Sequence, residues 1–160
     1  MRLSTRARYA VRAMIDLAAN AGNAPVTRDE IARRQAISPL YLSQILAHLS
    51  RAGLVASSKG PGGGYHLTRP PAEISVAEIM DAVGETTEPA PCIVRPGSKC
   101  DVRSCKQVDT CAAHLLWQRL SDTISDTLAS ASLADLCASV QPCAESNRAP
   151  ARRSTRSASG

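Results

Sequence analysis

Between positions 92 and 114 the sequence runs Cys92-x7-Cys100-x4-Cys105-x5-Cys111-x2-His114. Four thiols and an imidazole within 23 positions, in a chain with three histidines, form a metal-ligand pattern. Thiolates suit iron–sulfur clusters and zinc alike. Replacing one thiolate by an imidazole raises a cluster's potential and makes it sensitive to protons. A structural zinc site is the non-redox alternative, and a thiol switch through Cys100 or Cys137 is the metal-free one. Cys137 falls on the apolar face of a short helix, where a small core residue needs no further role. Cys143 stands at the root of an Arg/Ser-rich tail.

A second constellation lies upstream. Ser38-Pro39 is a helix cap followed by proline at the first helical position, and Leu42, Ile45, Leu46 and Leu49 mark one apolar face to Ala52-Gly53. That helix turns Ser38, Leu40, Tyr41, Ser43, Gln44 and His48 outward. Hydroxyls and amides there can bond phosphates or base edges, and a glutamine can pair an adenine in the major groove. Leu54-Val55 starts a strand, Gly60-Pro61-Gly62-Gly63-Gly64 makes a turn, and Tyr65-His66-Leu67 returns. The glycines let backbone approach phosphates or enter a narrow minor groove, and Lys59 supplies charge at the base of the turn. An ordinary amphipathic helix followed by a glycine hairpin is the bland alternative.

The positioning elements follow from capping and periodicity. Ser4 or Thr5 starts a helix with Ala10, Val11, Met14, Ile15, Leu17 and Ala18 at helical spacing, expected to stop near Gly22-Asn23 before Pro25. Thr27-Arg28-Asp29-Glu30 is a capping box for a helix over 28–35. Pro70-Pro71 closes the hairpin, and Ser75 caps a helix over 76–83. Residues 84–110 lack periodicity and read as a loop, long enough to need a functional reason. Residues 112–130 are helical again, with a Leu116, Leu120, Ile124, Leu128 stripe beside Trp117; Ser132 caps a last helix with Leu133, Leu136 and Cys137. Beyond Pro142 the composition is that of a disordered tail.

Composition narrows the function. The 160 residues include no Phe and 2% aromatics, so the core must be aliphatic. Residues 1–80 carry ten Lys/Arg against five Asp/Glu, residues 81–141 five against eight, and residues 142–160 four against one. The N-terminal half is therefore the candidate polyanion binder, with a solvated basic face as the alternative. No stretch approaches the ~20 apolar residues of a membrane span. The first twenty residues are Arg-rich, as in a transit peptide, but Asp16 interrupts the apolar run and no cleavage site follows. A cytoplasmic location is expected, in which six cysteines read as metal ligands or redox thiols rather than disulfides. An enzyme is not expected: there is no nucleophile–base pair or paired carboxylate, and Gly60–Gly64 lacks the Lys-Ser/Thr of a phosphate loop.

Helix, short helix, tight turn, polar-faced helix and hairpin is the winged helix-turn-helix order. The residues Arg2-Leu3-Ser4, Arg8-Tyr9-Ala10-Val11, Ile37-Ser38, Tyr41-Leu42, Ala52-Gly53-Leu54-Val55 and Gly60-Pro61-Gly62-Gly63-Gly64-Tyr65 resemble the Rrf family of winged-helix transcription regulators. The similarity runs over residues 1–83 and resumes around 105–136. The resemblance implies a homodimer on a near-palindromic double-stranded operator, usually as a repressor, with Arg2, Ser38, Tyr41, Ser43, Gln44, Lys59, Gly62 and Gly63 at the DNA. Lys59 stands where these proteins often carry Arg, and Ser43 where the family's iron–sulfur regulators carry an acid, so the operator sequence does not transfer.

The ending Cys105-x5-Cys111-x2-His114 is similar to the ligand pattern of those iron–sulfur regulators, in which three Cys and one His hold a 2Fe–2S cluster. By that resemblance Cys105, Cys111 and His114 match best, with Cys92 as first thiolate and Cys100 able to displace Cys92 or Cys105. Nitric-oxide-sensing relatives hold a 4Fe–4S cluster in which a ligand can come from an acidic residue in the first helix of the second subunit. Here that region offers Arg6, Arg8 and Arg12, with Asp16 more than a turn further on, which points to His114 instead. The expected protein is mostly α. It comprises a winged helix-turn-helix with a small β-hairpin wing (1–83), a cluster loop (84–114), a dimerisation helix and short C-terminal helix (115–141) and a disordered tail (142–160). Its operator binding is expected to answer to the cluster, with no membrane or small-molecule substrate involved. The alternative is a zinc-stabilised or thiol-switch DNA-binding protein.

Overall fold

The computed structural model describes residues 3–20, 22, 24–60, 62–93 and 110–139. Arg2, Cys100, Cys105 and the tail from residue 140 lie outside them. The helices are α1 (Thr5–Ala19), α2 (Arg28–Gln35), α3 (Pro39–Arg51), α4 (Val76–Ala82), α5 (Ala112–Ser130) and α6 (Leu133–Ser139). Strands β1 (Val55–Ser58) and β2 (Gly64–Leu67) form the hairpin between α3 and α4.

Local chemistry sets most boundaries. The Ser4 side chain accepts from the Ala7 amide at 3.1 Å and starts α1. Capping boxes start α2 (Thr27 with Glu30) and α4 (Ser75 with Glu78). Hydrogen bonds from Thr27 hold the Glu30 carboxyl below its usual value; those from Arg69 and Ser75 do the same for Glu78. Carboxylates depressed in the fold contribute stability above their unfolded pKa that is lost as pH falls through the folded value. Ser38 caps α3, accepting from the Tyr41 amide at 3.3 Å with Pro39 in the first turn. Helix α1 ends earlier than its sequence suggests. Asn20 closes it by turning both its backbone and side-chain N–H onto the Asp16 carbonyl, at 3.0 and 2.8 Å, ahead of the expected Gly22-Asn23 stop.

Strands β1 and β2 pair antiparallel with Val55 opposite Leu67 and Ser58 opposite Gly64. The sequence did not point to a third participant, Val26, which exchanges two backbone hydrogen bonds with Tyr65 at 2.9 and 2.8 Å. The wing is thereby stitched to the entry of α2.

The core is aliphatic, as composition requires. Ala7, Ala10, Ala13, Met14 and Leu17 of α1 face Ile31, Ile37, Leu42, Ile45, Leu46, Leu49, Ile74 and Ile79. Leu133 of α6 is fully buried in the same cluster, and its amide donates to the Ile74 carbonyl at 2.8 Å. The chain therefore returns after α5 to pack on α1. Along α5 the expected stripe divides: Leu128 packs against the core, whereas Leu116 and Leu120 are exposed. No helix among the described residues is long and apolar enough to cross a membrane.

Leu133→Ala should destabilise the protein by about 2–5 kcal/mol, the range for truncating a fully buried leucine. Urea midpoints of the two proteins measure it. A loss below about 0.5 kcal/mol, as for a surface site, would show that α6 does not share the core.

Candidate nucleic-acid interface and cysteine site

The helix-turn-helix is held by a buried carboxylate. Asp16 of α1 accepts from Arg34 Nε at 2.9 Å and Arg34 Nη2 at 2.6 Å, and from Gln35 Nε2 at 2.9 Å. Its side chain is 2% exposed. Arg12 Nε in turn donates to Gln35 Oε1 at 3.1 Å, with its guanidinium over the Tyr9 ring. These contacts lock α2 onto α1 and fix the platform from which α3 projects. They also occupy Asp16 fully, so this acid is committed within its own fold.

On α3, Ser38 is exposed at the cap and Gln44 is exposed on the outer face. Ser43 is half-buried; its hydroxyl donates to the Pro39 carbonyl at 2.9 Å and accepts from Arg28 Nη1 at 3.4 Å. Arg28, which sequence patterning left aside as part of a capping box, is thus placed beside α3. Tyr41 is half-buried, packs against the core and meets Tyr9 edge-on with ring centroids 6.1 Å apart. His48 Nδ1 lies 3.4 Å from Arg51 Nη2, and His66 is exposed on β2.

Lys59 is exposed at the mouth of the hairpin. Gly62 has φ +77°, a left-handed conformation that side chains resist. Gly63 has another cause. A Cβ there would stand 2.3 Å from the Ser58 carbonyl oxygen, and one at Gly64 would stand 2.5 Å from that of Val26. These two glycines are demanded by the protein's own backbone. A groove of about 370 Å³ runs between the wing and the start of α2, lined by Arg28, Lys59, Gly60 and Gly63 among others.

At the cysteine site, Cys92 and Cys111 are half-buried free thiols. Cys111 occupies the N-cap of α5 with no side-chain hydrogen bond, and His114 stands one turn further along, its amide donating to the Cys111 carbonyl at 3.0 Å. The Nδ1 of His114 is buried with no hydrogen-bond partner, a condition shared among the described residues only by the Thr87 hydroxyl. An orphaned buried acceptor or donor costs about 1–3 kcal/mol, so the arrangement favours a ligand that engages it. Cys111 and His114 are donor types that suit a thiolate–imidazole metal centre. Among the described residues, however, no three His, Cys, Asp or Glu side chains converge on one point, and Cys92 is not brought into a ligand set with them. The segment before Cys92 is anchored: Glu85 accepts from the Ser4 amide at 2.9 Å and from the Ser4 hydroxyl, and Arg6 donates to the Val83 carbonyl at 3.3 Å. Cys105 and Cys100 lie outside the described residues. Cys137 is half-buried on α6, and burial pushes its thiol up, away from thiolate chemistry.

A capped helix projecting from a clamped pair, flanked by a glycine-tipped hairpin that carries Lys59, is a winged helix-turn-helix, the arrangement of DNA-binding regulators. Residues 3–139 match the Rrf2 family, described as iron-dependent transcriptional regulators, and the chain belongs to that family. It is 48% identical over 138 residues to the HTH-type transcriptional regulator ORF2 of Azotobacter vinelandii, covering 86% of this chain and 80% of that protein. Against the HTH-type transcriptional regulator IscR of Photorhabdus laumondii the identity is 43% over 136 residues, covering 85% and 79%. The fold matches CymR, the global cysteine regulator of B. subtilis, with a TM-score of 0.71 at 29% identity over 88% of this chain and 99% of that one.

Gly63→Ala should open the hairpin, because its Cβ would collide with backbone rather than with a movable side chain. The expected cost is about 1–3 kcal/mol, as for other forced backbone shifts, with faster amide exchange at Tyr65 and Val26. Unchanged exchange at both amides would show that Gly63 is free to carry a side chain.

Proposed function

We propose that this regulator represses transcription as a homodimer on a near-palindromic operator, and that a 2Fe–2S cluster held by Cys92, Cys105, Cys111 and His114 controls its binding. The buried, unpartnered Nδ1 of His114, one turn from the free Cys111 thiol at the N-cap of α5, carries the cluster reading. The naming of IscR relatives and the iron-dependent family description support it. When bound, such a cluster supplies reversible one-electron chemistry and lability towards oxidant and acid.

The chain's own residues do the coupling. Cys92 ends a segment tied to the α1 cap through Glu85 and Ser4, and Cys111 and His114 begin α5. Ligands drawn from both sides of positions 94–109 join those two anchors. Ordering a loop by metal ligation is a recognised way to bias a DNA-binding unit. At the DNA, Gln44 reads a base edge, Arg2, Ser38 and Lys59 meet phosphates or the minor groove, and Gly62 and Gly63 shape the wing that carries Lys59. Ser43 and Tyr41 act closer to the protein, through the Pro39 carbonyl and Tyr9.

The CymR likeness favours a second reading, a thiol switch without iron. Iron and sulfide separate the two. Anaerobically purified protein should be brown and hold iron with inorganic sulfide; Cys111→Ala and His114→Ala should lose both while keeping their fold, and Cys100→Ala should keep them. Colourless protein that holds zinc and no sulfide, or none of these, overturns the cluster reading.

The exposed face of α5 supports the homodimer. Leu115 is 63% exposed, Leu116 58%, Leu120 40% and Trp117 36%, an apolar strip on a helix that buries Ser121 at its middle and joins the aliphatic core at Leu128. Two copies joined there would set half-sites about 34–36 Å apart, one helical turn of DNA. Leu116→Glu combined with Leu120→Glu should convert the dimer into a folded monomer, read by light scattering. A double variant that stays dimeric removes α5 as the seam.

A further inference from the structure

The tip of α3 carries an apolar side chain that the fold leaves uncovered. Leu40 is 76% exposed, the highest value among the exposed large apolar residues described. It occupies the second helical position, directly after the Ser38 cap and Pro39, so its backbone is set by the cap bond and by a ring-locked φ. Single exposed leucines are ordinary on protein surfaces. The surroundings of this one are not.

Leu40 shares a helical strip with Ser43, Gln44 and Ala47. Ser43 spends its hydroxyl proton on the Pro39 carbonyl at 2.9 Å, and its hydroxyl oxygen accepts from Arg28 Nη1 at 3.4 Å. Hydrogen-bond readout on this strip therefore falls to Gln44. Leu40 can offer only apolar contact. On base-pair edges in the major groove, the apolar group available for such contact is the C5-methyl of thymine. Residues at i and i+4 have Cβ atoms about 5–6 Å apart. Successive bases are about 3.4 Å apart, so the pair spans one or two steps.

We infer that Leu40 is a specificity-determining residue: it reads a thymine methyl within one or two base pairs of the adenine that Gln44 pairs. This rests on the operator-binding reading above. Contact with that methyl discriminates thymine from cytosine without any hydrogen bond, and it comes from a residue whose backbone the Ser38 cap and Pro39 hold in the first helical turn.

The test uses the full chain, purified anaerobically. Duplexes enriched by it from a random library are resynthesised with each thymine replaced in turn by deoxyuridine, which removes only the methyl. At one thymine per half-site the wild type should bind about fourfold more weakly, the ratio that about 0.8 kcal/mol for one methyl gives at about 1.4 kcal/mol per tenfold. Leu40→Ala should bind the thymine and deoxyuridine duplexes equally at that position, while keeping the wild-type response at every other thymine and an unchanged melting temperature. If the enriched duplexes show the same deoxyuridine profile in wild type and Leu40→Ala, the inference is overturned and the operator reading stands. If no duplex is enriched over random DNA, the operator reading fails and this inference falls with it.

Discussion

Asp16 lies on the buried face of α1, where its carboxylate takes the forked guanidinium of Arg34 and the amide of Gln35 from α2. A buried ion pair adds little over an apolar pair of the same shape, but stripped of one partner it costs about 3–5 kcal/mol. The clamp thus penalises every arrangement of α2 on α1 except the one that satisfies it. Arg34 is one-third exposed, so solvent softens that penalty without abolishing it. The direction of α3, which starts three residues after α2, is inherited from this registry, and with it the placement of Gln44 and Leu40. Arg12 extends the clamp by holding Gln35 from the far side.

The absence of phenylalanine shapes the packing around that clamp. Ala7, Ala10 and Ala13 give α1 a smooth face, so neighbouring helices approach closely and branched aliphatic side chains fill the remainder. Helix α1 is consequently the hub: α2, α3, α4 and α6 all pack on it. The segment leading to Cys92 is fastened to the same helix, at its first turn, by Glu85 on Ser4. The segment leading to Cys92 and the helix-turn-helix therefore share one structural support, although they are separate in sequence.

Much of the candidate interface was legible because its signals are short-range. Ser38-Pro39 and Thr27-x-x-Glu30 specify helix starts through bonds that close within three residues, and the glycine run specifies a turn through backbone freedom alone. The cysteine pattern is equally local, and the structure places two of its members, Cys111 and His114, at the N-cap and first turn of α5. What stayed hidden were the pairings across distance. Val26 pairing with Tyr65, Arg28 reaching Ser43 and Glu85 capping onto Ser4 each join residues that no spacing rule connects. Tyr41 looked outward by periodicity; a tyrosine can face the core edge-on, and Tyr9 was there to receive it.

The sequence by itself determined the element order, the caps, the aliphatic nature of the core and the cluster of thiols and imidazole, because each depends on neighbours along the chain. The tertiary structure decided which polar groups are spent and which are free. Asp16 is consumed by Arg34 and the Ser43 hydroxyl by Pro39, whereas His114 Nδ1 is buried without a partner and Leu40 is left in water. It also gave Gly63 and Gly64 their reason, contact with the carbonyls of Ser58 and Val26, and it packed Leu128 of α5 on the core while leaving Leu116 and Leu120 exposed. These outcomes depend on which groups meet after the chain has folded back on itself, and a partner's arrival from a remote position leaves no local trace in either residue's neighbours.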